Sequence, residues 1–285
     1  MPVSENWWQT ITEPLDTRVD LYRNLKDADL RKRGNRFMAE GELIVRKALR
    51  LHLSGKIRME SVLVNQARLN AMEDALKPAA LGGLPILLGS QELLDSIAGF
   101  HVHRGCLSVG KCPNEKSLEE TIPDHEKPSV IVGCESICNV DNLGVIFRNV
   151  AAFAADAVIL DQRSCDPLYR RTLRVSIGHS LTVPYARISP WPGELMRLKE
   201  RGYHLVALAL RENAVPLHEY HWPSRVLLLL GTEGTGLHQR TLEMCDDCLV
   251  IPMANDVDSL NVGTASGVAL HTARFQRFQD FSHTR

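Results

Sequence analysis

Short apolar runs alternate with amphipathic stretches along the second half of the chain, which predicts strands of a buried sheet joined by helices. The strand-like runs lie at 129–133, 157–160, 204–210, 226–230 and 248–251. Runs of this length between turn residues are typical of strands that are buried on both faces. Because helical patterns follow several of them, the sequence predicts an α/β domain with a mainly parallel sheet.

A second, smaller α/β unit is predicted in the first half of the chain. Helices are predicted over 42–53, 66–76 and 91–97, and strands over 61–64, 86–88 and 103–109. Residues 1–17 are predicted to form an arm of little regular structure, whose Trp7 and Trp8 pack onto the body or onto a second subunit. The polar segment 111–127 contains two prolines and no apolar period, so it is predicted to be a linker. The predicted domains are therefore 18–110 and 128–285.

Composition restricts these predictions only a little. The chain has 285 residues, 44% hydrophobic and 24% charged, which suits two ordinary globular domains or one large one. The formal net charge of −1 excludes a uniformly basic surface but not a local basic patch. No apolar run approaches the roughly 18 residues of a membrane span, and the first residues show no secretory signal. We therefore expect a cytoplasmic protein with no membrane partner.

Cysteine spacing gives little support for a metal site. The chain has seven cysteines. Two residues separate Cys245 from Cys248, and three separate Cys134 from Cys138. A structural zinc site needs two such pairs around one ion, commonly with further ligands nearby. We expect buried thiols in a reducing compartment and no metal.

Two turns in the C-terminal part are rich in glycine or small polar residues. The first, Gly231–Gly236, contains three glycines and follows a strand, so its backbone can approach a ligand closely. The second runs over 252–261 and leads into the last helix, which Ser259 or Asn261 is expected to cap. Glycine-rich turns are common in α/β proteins, and this one lacks the spacing of a dinucleotide fingerprint.

A third stretch gives these turns a more specific meaning. After the strand at 129–133, a helix opens at Asn142 and carries Arg148. The ordered set resembles the three motifs of the SpoU-type (TrmH-like) RNA 2′-O-ribose methyltransferases of the SPOUT class. The matching residues are Asn142, Gly144 and Arg148 in the first motif, Gly231, Glu233, Gly234 and Gly236 in the second, and Ile251, Pro252, Met253, Ser259, Leu260 and Asn261 in the third.

The resemblance implies a fold and an assembly that periodicity does not show. It implies a SPOUT catalytic domain in which the segment at about 231–275 forms a deep trefoil knot. It also implies a homodimer, with each catalytic domain near the cofactor site of the other. The block Phe37–Gly41 before the first long helix resembles the start of the small ribosomal-protein-like α/β domain that recruits RNA in many members. The apolar last helix suits either the core or the dimer interface.

The resemblance further implies that S-adenosylmethionine is the cofactor. The residues implied to hold it are Ala209, Leu210, Gly231, Gly236, Ile251, Met253 and Leu260. Their side chains are poor polar ligands, which fits recognition through backbone N–H and C=O groups. An alternative for Ile251 and Leu260 is that they simply belong to the core.

Four polar residues are the candidate catalytic group: Arg148, Asn142, Glu233 and Asn261. The resemblance makes Arg148 the residue that acts at the 2′-hydroxyl. Since a guanidinium stays protonated in proteins, we expect Arg148 to clamp a phosphate and the developing oxyanion. An ion pair between Arg148 and Glu233 is the structural alternative. The two asparagines can orient the ribose or tie loops together.

Two basic clusters are candidate RNA contacts. The predicted substrate-binding residues are Arg31, Lys32, Arg33 and Arg36 before the first long helix, and Arg170 and Arg174 on one helical face. Phosphate contacts of this kind position RNA without reading its sequence. The alternative is a solvated surface with ordinary ion pairs.

The sequence therefore favours S-adenosylmethionine-dependent methylation of a ribose 2′-hydroxyl in structured tRNA or rRNA. A non-catalytic RNA-binding protein with a decayed cofactor site is one alternative. A nicotinamide-dependent enzyme that uses the glycine turn is another, and the absent fingerprint argues against it.

Overall fold

Two sheets organise the chain, one in each of two units. The computed structural model describes residues 6–23, 26–102, 104–124, 127–255, 257 and 259–282. The first unit consists of Met1–Asn114 and Leu168–Leu181, and the second of Glu115–Pro167 and Thr182–Arg285. Residues 168–181 lie inside the sequence-predicted catalytic domain, yet they form part of the first unit.

The first unit is built on a five-stranded mixed sheet with strand order β1-β4-β3-β5-β2. Strands β1, β3 and β4 are parallel to one another, and β5 runs antiparallel to both β3 and β2. The strands are β1 (Gln9–Thr10), β2 (Arg36–Glu40), β3 (Arg58–Val64), β4 (Ile86–Leu88) and β5 (Cys106–Lys111). The helices are α1 (Asp27–Lys32), α2 (Glu42–Leu53), α3 (Gln66–Ala71), α4 (Glu73–Leu81), α5 (Gln91–Ala98) and α8 (Arg170–Val175), with 3₁₀ turns at Thr17–Tyr22 and His179–Leu181.

Alternate residues of β3 enter opposite cores of this unit. Val62 and Val64 pack in the cluster that contains α2 and α4, and Leu63 packs in the cluster on the other face. Trp7 and Trp8 pack against the first cluster, their rings edge to face at 5.1 Å. The single helix predicted over 66–76 is instead two helices, because the backbone leaves helical geometry at Met72 (φ −116°).

The second unit contains a seven-stranded sheet with strand order β10-β12-β9-β11-β6-β7-β8, in which every paired neighbour is parallel. The predicted mainly parallel sheet is therefore confirmed. Its strands are β6 (Ser129–Cys134), β7 (Ala157–Leu160), β8 (Tyr185–Arg187), β9 (His204–Leu208), β10 (Val215–Pro216), β11 (Arg225–Leu230) and β12 (Asp247–Val250). Its helices are α6 (Leu118–Thr121), α7 (Val140–Ala152), α9 (Leu195–Glu200), α10 (Gln239–Met244) and α11 (Val262–Ser282).

Helices cover both faces of this sheet, as a parallel sheet requires. In the central strand β11, Val226 and Leu228 pack in the cluster shared with α7 and α11, and Leu227 packs in the opposite cluster with α9. Leu118 and Ile122 also pack in this opposite cluster, beside α9. The segment predicted as a linker thus includes the short helix α6, which begins with a Ser117–Glu120 capping box.

Small residues let α7 and α11 pack closely. A Cβ atom added at Gly263 would lie 2.8 Å from Val145 Cγ1, and one added at Gly267 would lie 3.1 Å from Asn149 Nδ2. The Asn149 amide donates to Gly263 O at 2.8 Å and to Ser266 Oγ at 2.9 Å. This packing fixes the start of α11 relative to α7, and both helices begin near the candidate site.

Gly263→Val should destabilise the protein by about 1–3 kcal/mol, since the larger side chain must push Val145 away. The free energy of unfolding from urea titration measures the effect. Thr264→Val is the matched control, because it introduces the same side chain at the exposed neighbouring position. Equal stability of the two variants would contradict close packing at Gly263.

Candidate active site

A cavity of about 530 Å³ opens at the carboxyl ends of three adjacent strands. It is lined by the loops after β9, β11 and β12 and by the first turn of α11. Cavities of about 300–1,000 Å³ at the carboxyl edge of a parallel sheet are common small-molecule sites. All seven residues that the resemblance assigned to the cofactor line this cavity: Ala209, Leu210, Gly231, Gly236, Ile251, Met253 and Leu260.

The loop after β11 folds back tightly on itself. A Cβ atom at Gly231 would lie 2.2 Å from the carbonyl carbon of Gly236, so only glycine fits there. Gly236 N–H donates to Thr232 O at 3.0 Å, and Gly234 and Gly236 have φ angles of +84° and +67°. A side chain would strain the backbone at both positions. The three glycines therefore allow the tight conformation of a loop that lines the cavity.

Three polar side chains join the loops at the edge of this cavity, one from each sequence motif. Asn142 Nδ2 donates to Glu233 Oε1 at 2.9 Å. Asn261 Nδ2 donates to the same carboxylate oxygen at 2.8 Å and to Asn142 Oδ1 at 2.8 Å. We call these three residues the Asn–Glu–Asn network. It brings together positions that are up to 119 residues apart in the sequence.

Asn261 has a second role at the start of α11. Its Oδ1 accepts hydrogen bonds from the N–H groups of Gly263 at 2.9 Å and Thr264 at 3.2 Å. These bonds satisfy backbone donors that the first turn of a helix leaves unpaired. The expected cap is therefore confirmed for Asn261, whose amide then points its nitrogen into the Asn–Glu–Asn network.

Arg148 lies outside the cavity of its own chain. It is exposed on α7, and among the described residues it has no hydrogen-bond or ion-pair partner. The alternative ion pair with Glu233 does not form in the described structure, since Glu233 Oε1 accepts two asparagine amides instead. The guanidinium is therefore available for a ligand.

Two residues of the first predicted basic cluster, Arg31 and Arg36, form contacts within the first unit. Arg36 pairs with Glu60, and Arg31 Nη1 donates to Arg36 O at 2.9 Å. Lys32 and Arg33 are exposed. Arg36 therefore forms an ordinary ion pair, as the alternative to RNA binding expected. Lys32 and Arg33 present their side chains to solvent.

The two arginines of the second cluster differ in the same way. The Arg170 guanidinium lies 4.2 Å from the centre of the Phe100 ring and 3.8 Å from the buried Glu40 carboxylate. The Arg170 backbone N–H donates to Asp27 Oδ1 at 3.0 Å. These contacts hold α8 within the first unit. Arg174, four residues further on, is exposed.

Few charges line the cavity. Among the described lining residues, only Arg211 is cationic and only Glu233 is anionic. Arg211 Nη2 donates to Gln239 Oε1 at 2.6 Å, which links the loop after β9 to α10. Arg211 directly follows the predicted pair Ala209 and Leu210 in the loop after β9, which the resemblance brings to the cofactor. The described residues also contain no group of three or more His, Cys, Asp or Glu arranged to hold a metal ion.

A protein-family model, the SpoU rRNA Methylase family, matches residues 129–271. The chain belongs to this family. An uncharacterized tRNA/rRNA methyltransferase of Mycobacterium tuberculosis is 36% identical over 272 residues, which cover 92% of this chain and 90% of that protein. The 23S rRNA (guanosine-2′-O-)-methyltransferase RlmB of Ralstonia nicotianae is 31% identical over 72% of this chain and 83% of its own length.

Solved structures agree with the fold of this family member. An AdoMet-bound rRNA methyltransferase from Sinorhizobium meliloti superposes with a TM-score of 0.78 at 22% identity, over 95% of this chain and 98% of that one. A crystal structure of an RNA 2′-O ribose methyltransferase superposes with a TM-score of 0.74 at 25% identity, over 95% of this chain and all of that one. No helix among the described residues is long and apolar enough to cross a membrane.

Asn261→Asp should make stability depend on pH through the Asn–Glu–Asn network. The new carboxyl group keeps an oxygen for the helix cap but sets a second negative charge against Glu233, and binding of one proton relieves the repulsion. The folded state then binds more protons than the unfolded state, so stability is lost as pH rises. Urea unfolding at pH 5 and pH 8 should show a larger deficit relative to the wild type at pH 8.

Asn261→Ala is the control for that variant. It loses the cap, which costs about 0.5–2 kcal/mol, without adding a charge. Its deficit should be the same at both pH values. A pH-independent deficit in Asn261→Asp would show that the two side chains are not in contact.

Proposed function

We propose that this chain transfers a methyl group from S-adenosylmethionine to a ribose 2′-hydroxyl of structured RNA. The observation that carries the proposal is the Asn–Glu–Asn network, which joins all three family motifs at the edge of one cavity. The relative from Ralstonia nicotianae, at 31% identity, is a 23S rRNA (guanosine-2′-O-)-methyltransferase. Ribosomal RNA is therefore the substrate class that the relatives support best.

The cavity fits the cofactor on three grounds. Its volume suits a nucleoside-sized ligand, and its lining is largely uncharged. At Gly231 the absence of a Cβ lets the loop close on itself beside the cavity. We propose that backbone groups of Gly231, Ile251 and Leu260 hold the adenosyl part, with Ala209, Leu210, Gly236 and Met253 completing the site. The bound cofactor would supply an electrophilic methyl group on a sulfonium centre.

The polar residues would then prepare the acceptor. Transfer would require the ribose 2′-hydroxyl to be held in line with the methyl group and to lose its proton to a neighbouring group or to water. Asn142, Glu233 and Asn261 would orient the ribose, and their mutual hydrogen bonds would hold the loops still. Arg148 stays protonated, so we assign it to the phosphate and to the negative charge that develops on oxygen.

The decisive experiment uses labelled S-adenosylmethionine and rRNA from cells that lack this modification. Digestion of the RNA should release a labelled 2′-O-methylated nucleoside. Arg148→Ala should lower the rate by about 100-fold or more, because it removes a charge that acts in the transition state, while cofactor affinity stays close to that of the wild type. The readout is label per nucleoside after chromatography.

Arg197→Ala is the matched control for this arginine. Arg197 lies on α9, half-exposed and paired with Glu194 at 2.7 Å, so its loss should cost little. Cofactor binding without transfer to any RNA would instead support a non-catalytic RNA-binding protein. Unchanged turnover in Arg148→Ala would defeat the role assigned to that residue.

We also propose that the active protein is a homodimer in which Arg148 reaches the cavity of the partner subunit. The position of Arg148 outside its own cavity supports this arrangement, as does the exposed apolar surface of α11, which includes Val268 and Phe275. A site completed by two subunits makes activity depend on assembly.

Mixing two inactive variants tests the shared site. Arg148→Ala keeps its cavity, and Gly231→Val loses its cavity but keeps its arginine. After subunit exchange, an equal mixture should recover about a quarter of wild-type activity, since half the dimers are mixed and each has one intact site. Each variant mixed with itself is the control. No recovery, with exchange verified by mass spectrometry, would contradict a shared site.

Two further features follow from the family and stand as proposals. The first unit would bind RNA in the manner of a ribosomal-protein-like domain, with phosphate contacts from the exposed Lys32, Arg33 and Arg174. The segment at about 231–275 would form the trefoil knot. Its loops supply much of the cavity lining, which gives such threading a functional reason.

A further inference from the structure

A carboxyl group outside the three motifs is buried directly after strand β6. Glu135 is 2% exposed and has no ion-pair partner among the described residues. A carboxylate without a cation is costly to bury unless hydrogen-bond donors surround it. The position therefore needs a structural or functional explanation.

Three neutral donors satisfy both oxygens of Glu135. Oε1 accepts from Trp191 Nε1 and from Thr241 Oγ1, both at 2.7 Å, and Oε2 accepts from His238 N at 2.9 Å. Two of these donors, His238 and Thr241, belong to the start of α10. The His238 side chain forms no cap there, so the distant Glu135 carboxylate takes that role.

The backbone of Glu135 binds the other end of the same loop. Its N–H donates to Leu230 O at 2.9 Å, and Leu230 is the last residue of β11. Glu135 thus contacts the chain immediately before Gly231 through its backbone and immediately after Leu237 through its side chain. One residue fixes both ends of the loop 231–237, which forms a wall of the cavity.

We propose that Glu135 is a positioning residue for cofactor binding, acting through the loop 231–237. The inference rests on the proposed function, since it takes the cavity as the S-adenosylmethionine site. Recognition by backbone atoms requires that the loop ends stay a fixed distance apart, because no side chain can adjust to compensate. Glu135 touches neither the cavity nor the reacting atoms, so its loss affects affinity and not the chemical step.

Three variants separate loop positioning from general stability. Glu135→Gln keeps the shape of the side chain but replaces one carboxylate oxygen by an amide N–H₂, which then faces hydrogen-bond donors instead of accepting from them. Thr241→Val removes a donor on the α10 side, and Trp191→Phe removes a donor to the same carboxylate from outside the loop. Calorimetric titration with S-adenosylhomocysteine should give a dissociation constant raised about tenfold or more for Glu135→Gln and in the same direction for Thr241→Val. Trp191→Phe should bind as the wild type does.

Two further readouts distinguish positioning from catalysis. At saturating S-adenosylmethionine the turnover of Glu135→Gln should approach that of the wild type, with the defect confined to KM for the cofactor. Without any ligand, backbone amides in 232–238 should exchange hydrogen faster in Glu135→Gln than in Trp191→Phe.

Unchanged affinity in Glu135→Gln, or an equal loss in Trp191→Phe, would overturn the inference. If Glu135→Gln does not fold, Thr241→Val alone decides, and wild-type affinity in that variant would also overturn it. Failure of the wild-type protein to bind S-adenosylhomocysteine would overturn the proposed cofactor site and this inference with it. If the wild-type protein binds S-adenosylhomocysteine and Glu135→Gln and Thr241→Val bind it equally well, only the role assigned to Glu135 is overturned.

Discussion

The cavity depends on the hydrogen bonds that hold its loops, because the loops after β9, β11 and β12 and the first turn of α11 form its lining. Asn142, Glu233 and Asn261 share three hydrogen bonds of 2.8–2.9 Å and connect the start of α7, the loop after β11 and the start of α11. A backbone surface recognises a ligand only when its donors and acceptors keep fixed positions. The side chains of the family motifs thus act on the protein itself by joining the loops of the cavity.

Helix packing and the Asn–Glu–Asn network reinforce each other. Gly263 and Gly267 let α11 approach α7, where Asn149 bridges the two helices with two hydrogen bonds. That approach brings Asn261 within reach of Asn142. Asn261 then caps α11 with its oxygen and bonds the network with its nitrogen, so that one side chain serves both stability and site geometry.

Local patterns in the sequence predicted the parts of the fold that depend on local chemistry. Strands such as Ser129–Cys134 and Ala157–Leu160 follow from apolar runs between turn residues, and the cap at Asn261 follows from its place before a helical pattern. The ordered motifs led to the residues that line the cavity. A single residue, Met72, divides the predicted helix 66–76, and no glycine or proline marks that break.

Long-range contacts explain what the sequence did not reveal. Arg36 and Arg170 look like free cations in the chain, yet their partners Glu60 and Glu40 become neighbours only after folding. Glu135 belongs to none of the three motifs, and its contacts with His238 and Thr241 join positions more than 100 residues apart in the sequence. The membership of 168–181 in the first unit likewise depends on tertiary packing of Leu168 and Leu173.

We propose that the backbone around Gly231, Ile251 and Leu260 forms the cofactor site. The most direct test is an electron-density map of the protein crystallised with S-adenosylhomocysteine. We expect the adenosyl group in the cavity, within hydrogen-bond distance of backbone atoms of these residues, and the Asn–Glu–Asn network intact beside the sulfur. Density for the ligand at another place on the protein, with this cavity unfilled, would show that the cofactor site lies elsewhere.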